Sequence, residues 1–205
     1  MRRVLLLCLA LCLAPAAAAA AAAKTVLVFG DSLSAGYGVP REQGWVNLLA
    51  HKLREEGLDY SVVNASVSGE TTAGGARRIG EALKAHRPAV VVLELGANDG
   101  LRGQSLEAMR RNLEAMVDAC KRAGARVALV GMRLPPNYGN DYTERFHRTY
   151  VDLARREKVP LVPFLLAGFA EDQTYFQADQ LHPTAQAQPV MLRTVWPTLK
   201  PLLGK

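Results

Sequence analysis

Thr25-Val26-Leu27-Val28-Phe29-Gly30-Asp31-Ser32-Leu33-Ser34 holds the reading on which the fold turns. Five consecutive apolar or β-branched residues are too few for a helix and read as a buried strand, and the glycine that follows ends it in a tight turn. Similar short, valine-rich runs recur at Tyr60 to Val63, Ala89 to Leu95, Arg126 to Val130 and Pro160 to Phe164. Between them lie helix-length stretches near Trp45 to Glu56, Thr72 to His86, Ser105 to Ala123 and Tyr142 to Lys158. Leu106, Met109, Leu113, Met116 and Val117 fall at helical spacing within the third of these. A strand that must return parallel to its neighbour needs a crossover of a dozen residues or more, usually a helix. Strict alternation therefore predicts an α/β fold: a five-stranded parallel sheet with helices on both faces, a three-layer α/β/α sandwich. Gly100 to Ser105 and Leu134 to Asp141 read as irregular loops, and Pro189 and Pro197 blur the limits of a last helix after Pro183.

The chain of 205 residues is 49% hydrophobic and 21% charged, the balance of one globular domain with a sizeable core. Its beginning reads differently. Arg2 and Arg3 precede an apolar run from Val4 to Leu13, then Pro15 and an alanine tract to Ala23, which is the build of a secretory signal peptide. Residues 1–23 are expected to be a cleaved leader and 24–205 a single exported domain. A lipid-anchored form would need a small residue before Cys12, where Leu11 stands. Cleavage removes Cys8 and Cys12 and leaves Cys120 alone, so no internal disulfide is expected; on a helical pattern that thiol reads as core packing.

The net charge of +6 falls to +4 once Arg2 and Arg3 are lost, and the remaining basic residues are scattered. Nucleic acid is not implied, and at most a weak peripheral association with anionic membranes fits. A monomer is expected.

Functional groups of such sheets gather beyond the carboxyl ends of the strands. There Ser32 stands after the first strand. A serine in a tight turn is by itself usually a cap or turn residue, so partners decide its meaning. Asp179-Gln180-Leu181-His182-Pro183 supplies them: a carboxylate three residues before an imidazole can accept a hydrogen bond from Nδ1–H and turn Nε2 toward a serine. His51, His86 and His147 lie on helical patterns without such an acid beside them. Donors for a developing oxyanion are available on two further strand-end loops, in Gly69, whose N–H can approach a substrate closely, and in Asn98, whose amide can donate directly.

These four blocks together resemble those of the SGNH hydrolases of the GDSL type. Ser32 in GDSLS matches the nucleophile block, Gly69 in NASVSGET the second, Asn98 in GAND the third, and Asp179 with His182 the DxxH block. The resemblance covers essentially all of the chain after the leader. GANDGLRG and RLPPNYG bring it nearest to the periplasmic multifunctional enzymes that act as acyl-CoA thioesterase, lysophospholipase and arylesterase. Gln180 stands where many relatives carry glycine. The resemblance implies a Ser32–His182–Asp179 triad, an oxyanion hole made by the N–H groups of Ser32 and Gly69 and the Asn98 amide, and a small acyl ester or thioester as substrate.

No cofactor is expected, since glycine-rich dinucleotide and phosphate-loop fingerprints are missing from the strand-to-helix turns, and no histidine pair stands at metal-ligand spacing. The GxSxG elbow of the α/β-hydrolases is also missing. Leu101, Leu134, Pro135 and Tyr138 are candidates to line an acyl groove, with ordinary loop packing the equally weighted reading. Two other functions remain open at this point: a carbohydrate O-acetyl esterase using the same blocks, and an exported ligand-binding module without turnover. A peptidase ranks last, because activated esters can mimic protease substrates without any cleavage of peptide bonds.

Overall fold

The computed structural model describes residues 23–204, so the expected leader, apart from its last residue, lies outside the described residues. Five strands form one parallel sheet: β1 (Lys24–Gly30), β2 (Tyr60–Asn64), β3 (Val90–Glu94), β4 (Arg126–Val130) and β5 (Leu161–Val162), in the order β2-β1-β3-β4-β5. The central strands are apolar along most of their length because both faces are covered. Val26, Leu27, Val28 and Phe29 on β1 and Val90 to Leu93 on β3 are completely buried.

The covering helices are α2 (Trp45–Glu55), α3 (Thr72–His86), α5 (Leu106–Arg122), α6 (Asn140–Glu157) and α7 (Gln188–Leu199). Helices α3 and α5 pack on each other, as do α2 with α7 and α5 with α6. Thr71 and Ser105 cap α3 and α5 by accepting the N–H groups of Gly74 and Ala108. Cys120 is buried in the core, where desolvation pushes its thiol up to about 12, so it acts as a packed apolar group.

Three boundaries differ from the expectation. β5 is only two residues long, because Pro160 and Pro163 bracket it and a proline has no N–H for the ladder. Pro189 does not interrupt the last helix: it sits in the first turn, where its missing N–H has no partner to lose, and only Pro197 lies inside. Two short helices also replace expected turns, α1 (Ser32–Ala35) and α4 (Ala97–Leu101), and the second takes the start of the expected loop from Gly100 to Ser105. Both begin just past the carboxyl end of a central strand, and both carry a candidate site residue.

Candidate active site

Ser32 is the first residue of α1, directly beyond β1, so its N–H has no acceptor within the helix. Asp31 caps the same helix, its Oδ1 accepting the Leu33 N–H at 3.0 Å. His182 arrives from the far end of the chain on the segment between β5 and α7. Its Nε2 lies 3.0 Å from Ser32 Oγ, and its Nδ1 lies 2.7 Å from Asp179 Oδ2. The other carboxylate oxygen of Asp179 accepts the N–H groups of Leu181 and His182, each at 3.0 Å. The backbone N–H of His182 and then its imidazole hold the Asp179 carboxyl down at about 2. This compact turn requires Gln180 in the left-handed region, at φ +56°, which accounts for glycine being the easier residue there.

Two contacts that the sequence did not announce fix the imidazole against the serine. The Tyr37 ring lies against it, centroid to centroid 4.5 Å. Gln177 Nε2 donates to the carbonyls of Tyr37 and Pro183, at 2.8 and 3.0 Å, tying the segment after α1 to the histidine loop.

The second and third blocks meet beside Ser32. Gly69 is exposed and adopts φ +77°, a conformation that any side chain would strain. The residue after it is anchored, because Glu70 accepts from Arg78 Nε at 2.7 Å while Arg78 also donates to the Ala65 carbonyl. Asn98, in the first turn of α4, uses Nδ2 to donate to Asp31 Oδ2 at 3.1 Å and to the Glu70 carbonyl at 3.0 Å. Arg102 at the end of α4 donates to the Gly69 carbonyl and, more weakly, to Asn98 Oδ1. Beneath them Asp99 is buried and accepts from the N–H and hydroxyl of Thr72, locking α4 to the start of α3.

The candidate groove residues fare unequally. Tyr138 is exposed and donates its hydroxyl to the Leu101 carbonyl at 3.1 Å, so these two stand together beside α4. Pro135 is exposed at the start of a 3-10 turn, whereas Leu134 is buried in the core near Gly100. The four exposed large hydrophobic residues among those described, Tyr37, Val67, Tyr138 and Leu181, all belong to loops at this same end of the sheet.

Chemically, a hydroxyl paired to an imidazole that is itself paired to a carboxylate can be deprotonated as it attacks, with N–H donors close by for the charge that develops. Residues 28–188 match the model of the GDSL-like lipase/acylhydrolase family. The chain belongs to this family of acyl hydrolases. It is 52% identical over 180 residues to the esterase TesA of Pseudomonas aeruginosa, covering 88% of this chain and 90% of that one. It is 41% identical to thioesterase 1/protease 1/lysophospholipase L1 of Escherichia coli strain K12, covering 88% of this chain and 85% of the relative. Among solved structures, a psychrotrophic esterase EstA from Pseudoalteromonas sp., inhibited by monoethylphosphonate, superposes with a TM-score of 0.83 at 38% identity, over 89% of this chain and 100% of that one. The fold and the family expected from the four sequence blocks are both found.

Proposed function

We propose that this acyl hydrolase is an exported serine esterase and thioesterase working through an acyl-enzyme, with Ser32 as nucleophile, His182 as general base and acid, and Asp179 as the group that orients the imidazole. The observation that carries the reading is the continuous relay from Asp179 Oδ2 through His182 to Ser32 Oγ, at 2.7 and 3.0 Å. In acylation, His182 Nε2 takes the Ser32 proton as Oγ attacks the acyl carbonyl, and returns it to the departing alcohol or thiol. Water then attacks the acyl carbonyl as it gives its proton to the same nitrogen, which passes that proton to Ser32 Oγ as the acid departs. The oxyanion of both steps is held by the N–H groups of Ser32 and Gly69 and by the Asn98 amide, one of whose N–H groups turns to it from the Glu70 carbonyl while the other stays on Asp31.

Single-chain lipid esters such as lysophospholipids, aryl esters and acyl thioesters are the proposed substrate class. Residues 1–23 act as the leader, which sends the domain to the periplasm or beyond, where lysophospholipids are met more readily than cytosolic acyl-CoA. The names borne by the relatives, esterase and thioesterase/lysophospholipase, support this class. The acyl chain is proposed to run beside Leu101 and Tyr138, with Pro135 at the rim. The protein is proposed to act as a monomer, touching membranes only weakly.

The test is hydrolysis of nitrophenyl esters of graded chain length by the mature domain beside Ser32→Ala. The variant should lose at least about 10⁴-fold in kcat while melting like the parent. Activity surviving in it would sink the assignment, and a marked preference for acetyl would move the reading to a deacetylase.

A further inference from the structure

Behind Ser32 lies a carboxyl pair that the relay does not use. Glu94, the last residue of β3, is completely buried; its Oε2 accepts from Ser34 Oγ at 2.7 Å and from the Asp31 N–H at 3.3 Å. Its Oε1 is buried without a partner. Asp31, 1% exposed, holds the Leu33 N–H with one oxygen and the Asn98 amide with the other. Gly30 makes the approach possible, since a Cβ there would stand 2.5 Å from Glu94 Oε2. Two carboxyl groups thus grip the turn that carries Ser32 from below, and one of them grips Asn98 as well.

We propose that Asp31 and Glu94 are positioning residues for the oxyanion hole: Asp31 aims the Asn98 amide, and Glu94 holds the backbone turn that presents the Ser32 N–H. This rests on the assignment of Ser32 and Asn98 above and deepens it. Two adjacent buried carboxyl groups cannot both ionise cheaply. Burial, reinforced by the charge of Asp31, drives the Glu94 carboxyl well above the ordinary range, so Glu94 is the neutral member. Burial also lifts Asp31, to about 6, against the pull of the Leu33 N–H, the Asn98 amide and His182. The groups that face Asp31 are Glu94 from β3, Asn98 and Asp99 from α4, and His182 from the histidine loop. Tyr150 of α6 stands behind Glu94 with its hydroxyl donated to the Leu95 carbonyl. An ionised Asp31 is a strong acceptor that fixes the Asn98 amide and sets a negative charge before the imidazolium of the reaction; a protonated one is a weaker acceptor and carries no charge.

The experiment compares ester hydrolysis between pH 4.5 and 8 for the parent, Asp31→Asn, Glu94→Gln and Glu94→Ala, each checked by melting. In the parent, kcat/KM should fall on the acid side as Asp31 takes up its proton. Asp31→Asn should lower kcat about tenfold or more with KM within about twofold, and its acid limb should become less steep than the parent's. Glu94→Gln, which reproduces a neutral acid, should stay within about threefold of the parent with the acid limb unmoved, whereas Glu94→Ala should lose about tenfold. The proposal is overturned if Asp31→Asn keeps the parental kcat and the parental acid limb. It is equally overturned if Glu94→Gln falls as far as Glu94→Ala, or shifts the acid midpoint down by more than about half a pH unit. Should Glu94→Ala not fold, the Glu94→Gln limb decides alone. Turnover that depends on Ser32 but ignores these variants would reject the positioning role and leave the esterase assignment standing; turnover indifferent to Ser32 would reject the assignment itself.

Discussion

At the scale of single residues, Gln180 pays for the shape of the turn that brings Asp179 to His182. A side chain in the left-handed region costs about 1 kcal/mol or more relative to glycine, while glycine loses more freedom on folding by a fraction of that. Gln180→Gly should therefore stabilise the domain by about 0.5–1 kcal/mol in denaturant unfolding and leave kcat unchanged, because the 3.0 Å and 2.7 Å bonds of Asp179 use backbone groups and the imidazole, not the glutamine side chain. Of the proposed site residues, Ser32, Gly69 and Asn98 were legible on strand-end loops, and Asp179 with His182 as a carboxylate and imidazole three residues apart. The residues that hold them were not. Asp31 was hidden inside the serine block, and Tyr37 and Gln177 act through contacts between segments 140 residues apart. Glu94 did leave a trace: it is a lone carboxyl in the otherwise apolar run from Val90 to Leu95, where an acid must either be neutral or be employed.

At the scale of elements, strands and long helices were readable because burial on both faces of the sheet and one face of each helix writes itself into hydrophobic period. What escaped were α1 and α4, each about one turn long, since a single turn leaves no period and its stability comes from capping and tertiary contact. α3 shows how far such contacts override propensity. It contains Gly75 and Gly80 in one continuous helix. A Cβ at Gly80 would meet open space, so Gly80→Ala should stabilise by about 0.5–1 kcal/mol. At Gly75 the same methyl would collide with Leu95 and press on Met116, and the overpacking cost of about 1–3 kcal/mol should outweigh the propensity gain. Opposite shifts of the two melting temperatures would bear this out; two upward shifts would mean that the α3 to sheet packing is looser than it looks.

For the molecule as a whole, the buried acids make stability depend on pH in a direction opposite to that of ordinary surface carboxylates. A folded-state pKa raised to about 6 means that the native state of Asp31 holds its proton longer than the unfolded chain does. Its contribution is most favourable below the unfolded value near 3.8 and is lost as pH rises through about 6. Asp179, depressed to about 2, contributes above its unfolded value and loses that contribution as pH falls toward 2. Asp31→Asn should accordingly be more stable than the parent at pH 7.5, by on the order of 1–3 kcal/mol, with the gap closing by about pH 4, as read from urea unfolding at the two pH values. The sheet carries a further consequence at its β5 edge, where only Leu161 and Val162 pair and prolines stand on both sides. An edge that offers so few free N–H groups is a poor template for another strand, so molecules crowded together have little with which to zip into fibrils on that side.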